Sequence, residues 1–416
     1  MSGQFADVVV VGASHGGSEV VIRLRQGGFA GSIALLGAEP HLPYHRPPLS
    51  KAFLAGQTTV EQLHLRSAEA YVKANIARHP STLVEAIEPS AHALRLHSGE
   101  RFGYGKLVLA TGGRPRRLTI PGSDLQGLHY MRSIADVEAL RPEFVPGARL
   151  VIVGGGYIGL EVAAVAVRHG LDVEIVEFAP RVLARVAGPE LSAFYEAAHR
   201  AAGVRLRLST GVEGFEAASE RPGHVGAVRC ADGTILPAGL VLVAVGLVPN
   251  IELAQAAGLM MGNGVVVDAL CQTSEPDILA IGDCTEHPLP FLAGVRVRLE
   301  SVPNAVEQAR VAASVLNGAP KPYAAVPWFW SDQYNLKLQS VGLSQGHDRV
   351  ILRPARSPEG FVAFYLKDGR MIAADCVNSI QEFNLAKRLV TERVIVDTAA
   401  LADPEINLKT LMPAVA

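Results

Sequence analysis

Gly154, Gly156 and Gly159 stand in GxGxxG spacing, and an acid, Glu177, closes the same stretch. Glycines at these intervals let a chain turn tightly, approach a pyrophosphate with its backbone, and pack a helix closely on a strand. The helix that starts there offers free N–H groups to phosphate. Tyr157 and Ile158 belong to the same turn. A carboxylate at Glu177 can accept from a ribose 2′-hydroxyl and would repel a 2′-phosphate, so NADH is expected over NADPH. The elements that must hold these residues are legible around them. The apolar run 150–153 reads as a strand buried on both faces. A helical apolar pattern follows through Val167, with Gly170 past its end, and 173–176 is a β-branched strand.

A second unit of this kind opens the chain. Residues 6–11 form an apolar strand, followed by Gly12, Ser14, His15, Gly16 and Gly17, with serine in place of the middle glycine. Serine is small enough for the backbone still to approach a pyrophosphate. A helix is expected over 18–26 and a strand over 32–36, leading to Ala38 and Glu39. Glu39 is the ribose-binding candidate here, or else a loop charge. His15 receives no chemical role, although its backbone can line the phosphate loop. Two βαβ nucleotide units in one chain point to two dinucleotides, one held permanently and one exchanging.

Between and beyond these units lie further candidates. Prolines stiffen the segment 43–51, in which Arg46 and Lys51 suit phosphate or an electron-rich ring, or are simply solvated charge. Residues 82–87 read as a short strand with Val84 inward, and 107–111, which includes Ala110, as a buried strand. The strand 240–245 closes on Gly246, and Asp283 follows the strand 278–281, at the end where open α/β sheets bind ligands. From about Tyr323 the texture becomes that of antiparallel strands, with both tryptophans in Pro327-Trp328-Phe329-Trp330. The fold class expected is α/β, with two Rossmann-like dinucleotide-binding domains and a C-terminal α+β domain. The expected divisions are 1–115 with 246–322, an inserted 116–245, and 323–416.

Composition narrows the function. The chain has 416 residues, 49% of them hydrophobic, and a formal net charge of -2. That length favours several domains with full cores, and the near-neutral charge argues against nucleic-acid binding. No apolar run reaches the roughly 18 residues of a membrane span, and no signal core precedes the first strand. A cytoplasmic protein without membrane contact is therefore expected. The 4 cysteines, Cys230, Cys271, Cys284 and Cys376, are far apart, which disfavours a disulfide framework or a metal site.

The residues also carry a resemblance along essentially the whole chain. The matching runs are the N-terminal glycine loop, Arg46-Pro47-Pro48-Leu49-Ser50-Lys51, Leu109-Ala110-Thr111-Gly112-Gly113-Arg114-Pro115, the GGGYIGLE run over 154–161, Ile281-Gly282-Asp283, Glu300-Ser301-Val302-Pro303, and Trp328-Phe329-Trp330-Ser331-Asp332-Gln333. In this order they resemble the FAD- and NADH-dependent ferredoxin reductases of bacterial oxygenase systems, the putidaredoxin reductase type. The resemblance implies a glutathione-reductase-like fold with a discontinuous FAD domain, an inserted NAD domain and a C-terminal domain. It also implies where FAD lies: its pyrophosphate over Gly12, Ser14, His15, Gly16 and Gly17, its ribose near Ala38 and Glu39, its adenine beside Val84. Arg46, Ala110, Arg132, Asp283 and the Val302 backbone serve the same cofactor. NADH takes Gly154, Gly156, Tyr157, Ile158, Gly159, Glu177 and Gly246. Lys51 approaches the isoalloxazine ring, Glu161 pairs with Lys51 near the nicotinamide, and Glu300 and Trp330 complete the catalytic set.

Disulfide reductases of this fold carry a redox cysteine pair after the first unit, and NADH oxidases a single cysteine; here none lies between Glu39 and Lys51. Thiolate chemistry needs a cysteine placed against the ring, and Cys284 reads as a small buried residue. The resemblance further implies an acidic [2Fe–2S] ferredoxin as acceptor, feeding a cytochrome P450 or another oxygenase, the reductase being a monomer or homodimer. Arg310, Lys337 and Lys409 are candidates for steering that partner, or scattered solvated charges. The alternatives are a rubredoxin reductase or nitrite-reductase-type flavoprotein, and a flavoprotein whose conformation NADH switches for signalling.

Overall fold

The computed structural model describes residues 4–290, 292 and 295–411. The chain divides into two compact units. The first holds the described residues up to His45, then Val60–Arg114 and Val248–Pro327. The second holds Arg46–Thr59, Pro115–Leu247 and the described residues from Trp328 onward.

Besides a small sheet of Val265–Val266, Thr285–Pro288 and Arg296–Val297, the first unit is built on one large sheet. Its strands run in the order Ala77–His79, Ile33–Leu36, Gln4–Val11, Arg101–Leu109, Ala93–Leu96 and Val84–Glu88, and Ile278–Ala280 pairs with Arg101–Leu109. The pairings around Gln4–Val11 are parallel and those among the last three strands of the row antiparallel. Val8, Val9, Val10 and Val11 are all buried, which is why this strand reads as an unbroken apolar run. On one face the helices His15–Gln26 and Val302–Leu316 pack together. The other face buries Leu94, Leu96, Phe102 and Tyr104 with Leu259 and Val265.

The second unit contains three sheets. Five parallel strands run Arg205–Arg207, Asp172–Val176, Arg149–Val153, Leu240–Val243 and Leu128–His129. A three-stranded antiparallel sheet, Val212–Ala217, Val225–Cys230 and Ile235–Pro237, covers one face and buries Phe215, Val228 and Leu236 with Val151 and Val241. The third sheet is antiparallel throughout, in the order Trp328–Gln333, Leu336–Gly342, Arg370–Val377, Phe361–Lys367 and Arg349–Arg353, with the helix Ile380–Glu392 against it.

The expected β-rich C-terminal segment is present. Its first strand, Trp328–Gln333, is one the sequence pattern did not reveal. Its aromatic run hides the alternation, because Trp328, Phe329 and Trp330 are all half-buried rather than in-and-out. The proline turn at 46–51 opens only one 3-10 turn, Pro47–Ser50, with both prolines in its first positions.

Candidate functional site

The two glycine loops have one backbone geometry. Gly12 has φ +115° and Gly154 φ +108°, a region closed to residues with a Cβ. A Cβ at Gly17 would lie 2.0 Å from the Gly12 carbonyl oxygen, and one at Gly159 would lie 2.2 Å from that of Gly154. In each loop the third small position therefore permits the helix to sit on its strand. The middle position explains the serine. Ser14 and Gly156 both have extended backbone, which any residue adopts, so Ser14 carries no strain. A Cβ at Gly156 would meet nothing within 4 Å, so the helix start faces open space there. The helices His15–Gln26 and Tyr157–Arg168 have no acid in their first turn. A positive helix end without an acid in its first turn fits a pyrophosphate.

In the first unit, Glu39 follows the strand Ile33–Leu36 and accepts a hydrogen bond from Tyr44 Oη at 2.6 Å. Ala38 beside it is exposed. Val84 starts the strand Val84–Glu88 and is buried. The Ala110 N–H donates to the Val11 carbonyl, which brings the Ala110 carbonyl against Gly12. Asp283 lies on the one-turn helix Gly282–Cys284, directly past the strand Ile278–Ala280, and its carbonyl accepts from Arg298 Nη1 at 3.3 Å. Val302 is the first residue of its helix, which Ser301 caps by accepting from the Asn304 N–H at 3.2 Å. Glu300 is exposed and pairs with Arg298 at 2.7 Å. Cys284 is buried, its thiol pushed up by burial and directed at the Ile281 carbonyl.

In the second unit, Glu177 stands at the end of the strand Asp172–Val176 and braces the loop. Its Oε2 accepts from the Gly155 N–H at 2.6 Å and its Oε1 from the Ala179 N–H at 2.7 Å. Two side chains here gave no sequence signal. Phe178 is 83% exposed directly after the acid. Arg185 has its guanidinium nitrogen 3.3 Å from where a Gly246 Cβ would stand, so Gly246, at φ +102°, leaves room for that cation. The Gly246 carbonyl accepts from the Arg116 N–H.

Lys51 and Glu161 do meet, as the resemblance implied. Lys51 Nζ lies 2.6 Å from Glu161 Oε2. Ser50 Oγ donates to the same oxygen at 2.5 Å, and Ser331 Oγ to Oε1 at 2.6 Å. Glu161 is 3% exposed. A buried carboxylate needs such partners, since an unpaired charge in the interior costs several kcal/mol or more. Lys51 Nζ also donates to the Pro47 carbonyl at 3.1 Å, so the proline turn aims it. Arg46 Nη1 donates to the Arg132 carbonyl at 2.6 Å, and the Arg132 N–H donates to Asp136 Oδ2 at 2.9 Å, within the capping box of the helix Ile134–Leu140. Trp330 packs on Trp328 with ring centroids 5.5 Å apart. Of the steering candidates, Arg310 is tied to Glu307 at 2.5 Å, while Lys337 and Lys409 are exposed.

Known proteins share this chain's plan throughout. Residues 6–309 match the pyridine nucleotide-disulphide oxidoreductase family and residues 328–412 the reductase C-terminal family. The chain is 46% identical to putidaredoxin reductase of Pseudomonas putida over 98% of its length and 97% of that protein's. It is also 46% identical to the 5,5′-dehydrodivanillate O-demethylase ferredoxin reductase subunit of a Sphingobium strain, covering 98% of each. Among solved structures, the covalent putidaredoxin reductase–putidaredoxin complex superposes with a TM-score of 0.94 at 45% identity, over 98% of both chains. No helix among the described residues is long and apolar enough to cross a membrane. The family fold, the glycine loops and the full-length likeness agree, and the chain belongs to the pyridine nucleotide-disulphide oxidoreductase family, in its branch of FAD-dependent ferredoxin reductases of the putidaredoxin reductase type.

Proposed function

We propose that the protein oxidises NADH and passes the electrons one at a time to an acidic [2Fe–2S] ferredoxin that serves a cytochrome P450 or another oxygenase. The observation that carries the reading is the pair of half-buried Lys51 with buried Glu161, in a chain whose described cysteines are all buried. FAD, when bound, supplies the chemistry: it accepts two electrons as hydride and returns them singly.

The chain's residues do the rest. The loop from Gly12 to Gly17 holds the FAD pyrophosphate, with Glu39 on its ribose and Val84 beside its adenine. The loop from Gly154 to Gly159 holds NADH, with Glu177 on the adenosine ribose and Phe178 as a face for the adenine. Lys51 would supply a positive charge to the ring system of the bound cofactor. Glu161 balances that lysine beforehand and orients the nicotinamide carboxamide. Arg132, Arg46, Asp283 and the Val302 backbone would position the cofactor, and Trp330 would lie near it. Arg310, Lys337 and Lys409 steer the acidic partner.

Lys51→Met tests this. Anaerobic stopped-flow mixing with NADH should show the yellow protein bleaching roughly a hundredfold more slowly than the parent, the scale of a lost electrostatic group. An unchanged rate would remove Lys51 from the reaction. A parallel assay with rubredoxin in place of the ferredoxin separates the nearest alternative acceptor.

A further inference from the structure

Glu161 ends a row of buried hydrogen bonds that the proposed reaction does not use. Ser331 Oγ donates to Glu161 Oε1 at 2.6 Å, and Gln333 Nε2 donates to Ser331 Oγ at 3.2 Å. Gln333 Oε1 lies 2.8 Å from His199 Nε2, and Tyr334 Oη lies 2.9 Å from His199 Nδ1. Ser331, Gln333 and His199 are buried, whereas Tyr334 is half-buried, with the Arg168 guanidinium 5.8 Å from its ring centre.

The direction of every proton in the row follows from chemistry. An amide oxygen only accepts, so His199 Nε2 carries the hydrogen. His199 Nδ1 then accepts, so the Tyr334 hydroxyl donates. An amide NH2 only donates, so Ser331 Oγ accepts from Gln333 and gives its own hydrogen to the carboxylate. All donors point from Tyr334 toward Glu161.

We propose that Tyr334, His199, Gln333 and Ser331 are positioning residues that fix the Glu161 carboxylate, with Oε2 turned to Lys51. The inference rests on the reading of Lys51 and Glu161 as the charge pair of the reaction. Hydrogen bonds aligned head to tail polarise one another, and a donor on Oε1 holds the carboxylate in one orientation. The row orients and does not conduct, because the Gln333 amide cannot take up a proton and pass it on. It needs a neutral imidazole, and burial holds His199 down to about 4.

Other charged and titratable groups face the same carboxylate. Lys51 comes from the 46–59 segment, Tyr157 from Glu161's own helix, and Tyr195 from the helix Pro189–Ala201. Asp332 and Asp375 act on Tyr195, and Arg168 stands over Tyr334. Only the Ser331 branch leads away from Lys51 toward the half-buried end.

The test compares Ser331→Ala and Gln333→Leu with Ser331→Thr and with Glu161→Gln, all loaded with FAD. One measurement is the rate of anaerobic bleaching by NADH. In Ser331→Ala and Gln333→Leu it should fall at least about fivefold, because Oε1 is no longer held. Ser331→Thr, which keeps the hydroxyl, should restore the parent rate. The second measurement is the ¹⁵N spectrum of the His199 imidazole, expected as the neutral Nε2–H tautomer in the parent and without that preference in Gln333→Leu. Parent rates in both disrupted variants, or an Nδ1–H tautomer in the parent, would overturn the proposal. If Glu161→Gln bleaches at the parent rate, the role given to Glu161 itself fails, and the imidazole spectrum still decides whether the row exists.

Discussion

Glu177 Oε2 accepts the Gly155 N–H at 2.6 Å, so the acid proposed to select the nucleotide also holds the loop that grips its phosphates. One substitution therefore loosens two functions. Glu177→Ala should raise the KM for NADH by roughly tenfold to a hundredfold, the loss expected for a hydrogen bond to a charged group. Because the repulsion of a 2′-phosphate disappears as well, preference for NADH over NADPH should narrow. Steady-state reduction of a dye with each nucleotide measures both, and an unaltered NADH to NADPH ratio would count against the assignment.

The tightest approach in the first loop predicts a colourless variant. Gly17→Ala places a methyl 2.0 Å from a backbone oxygen of Gly12, a contact the strand and helix can relieve only by separating. The purified variant should retain little FAD, read as a low ratio of visible to ultraviolet absorbance. Ser14→Gly, at an extended backbone position with no strain to relieve, should load flavin as the parent does.

The family name includes disulphide chemistry, whereas in this chain all four cysteines are free and buried. Burial raises the Cys284 thiol, which disfavours the nucleophilic thiolate. Cys284→Ala should leave turnover within about twofold of the parent, the losses being packing of a small side chain and one weak thiol bond to the Ile281 carbonyl. Iodoacetamide applied to the folded protein should not inactivate it. Rapid inactivation that the alanine variant escapes would place a working thiol at that position.

His199 makes stability depend on pH in a known direction. An unfolded imidazole binds its proton below about 6.5, but buried His199 does so only below about 4. In between, the unfolded chain carries more protons, so stability is complete above the upper value and falls as the pH falls toward the lower one. The shift corresponds to about 3 kcal/mol. The buried His287 acts in the same sense and the buried Asp375, raised by burial, in the opposite one. A difference measurement isolates His199. His199→Phe should melt lower than the parent near neutrality, because Gln333 and Tyr334 lose their partner, and the gap should shrink toward pH 5. Parallel curves for the two proteins would contradict the shift.

The sequence by itself determined the features that are local. Both glycine loops, their flanking strands and the acids after them were readable because strand, turn and helix follow one another within each βαβ stretch. The same holds for Ser14, whose extended backbone makes it an acceptable substitute for glycine. The Lys51–Glu161 pair was reached only through resemblance, since nothing in spacing joins two residues so far apart.

Tertiary structure alone decided who satisfies the buried carboxylate. Ser50 and Ser331 come from distant segments, and behind Ser331 stand Gln333 and then His199, from a helix of the parallel-sheet part of the unit. A serine or glutamine in a sequence carries no sign of its partner, because hydrogen bonding is fixed by distance and direction after the sheets have packed. The same applies to Arg185 beside Gly246 and to the bond from Gly155 to Glu177. Periodicity and turn chemistry specify elements one by one, whereas a buried charge is stabilised only by groups that several elements bring to it at once.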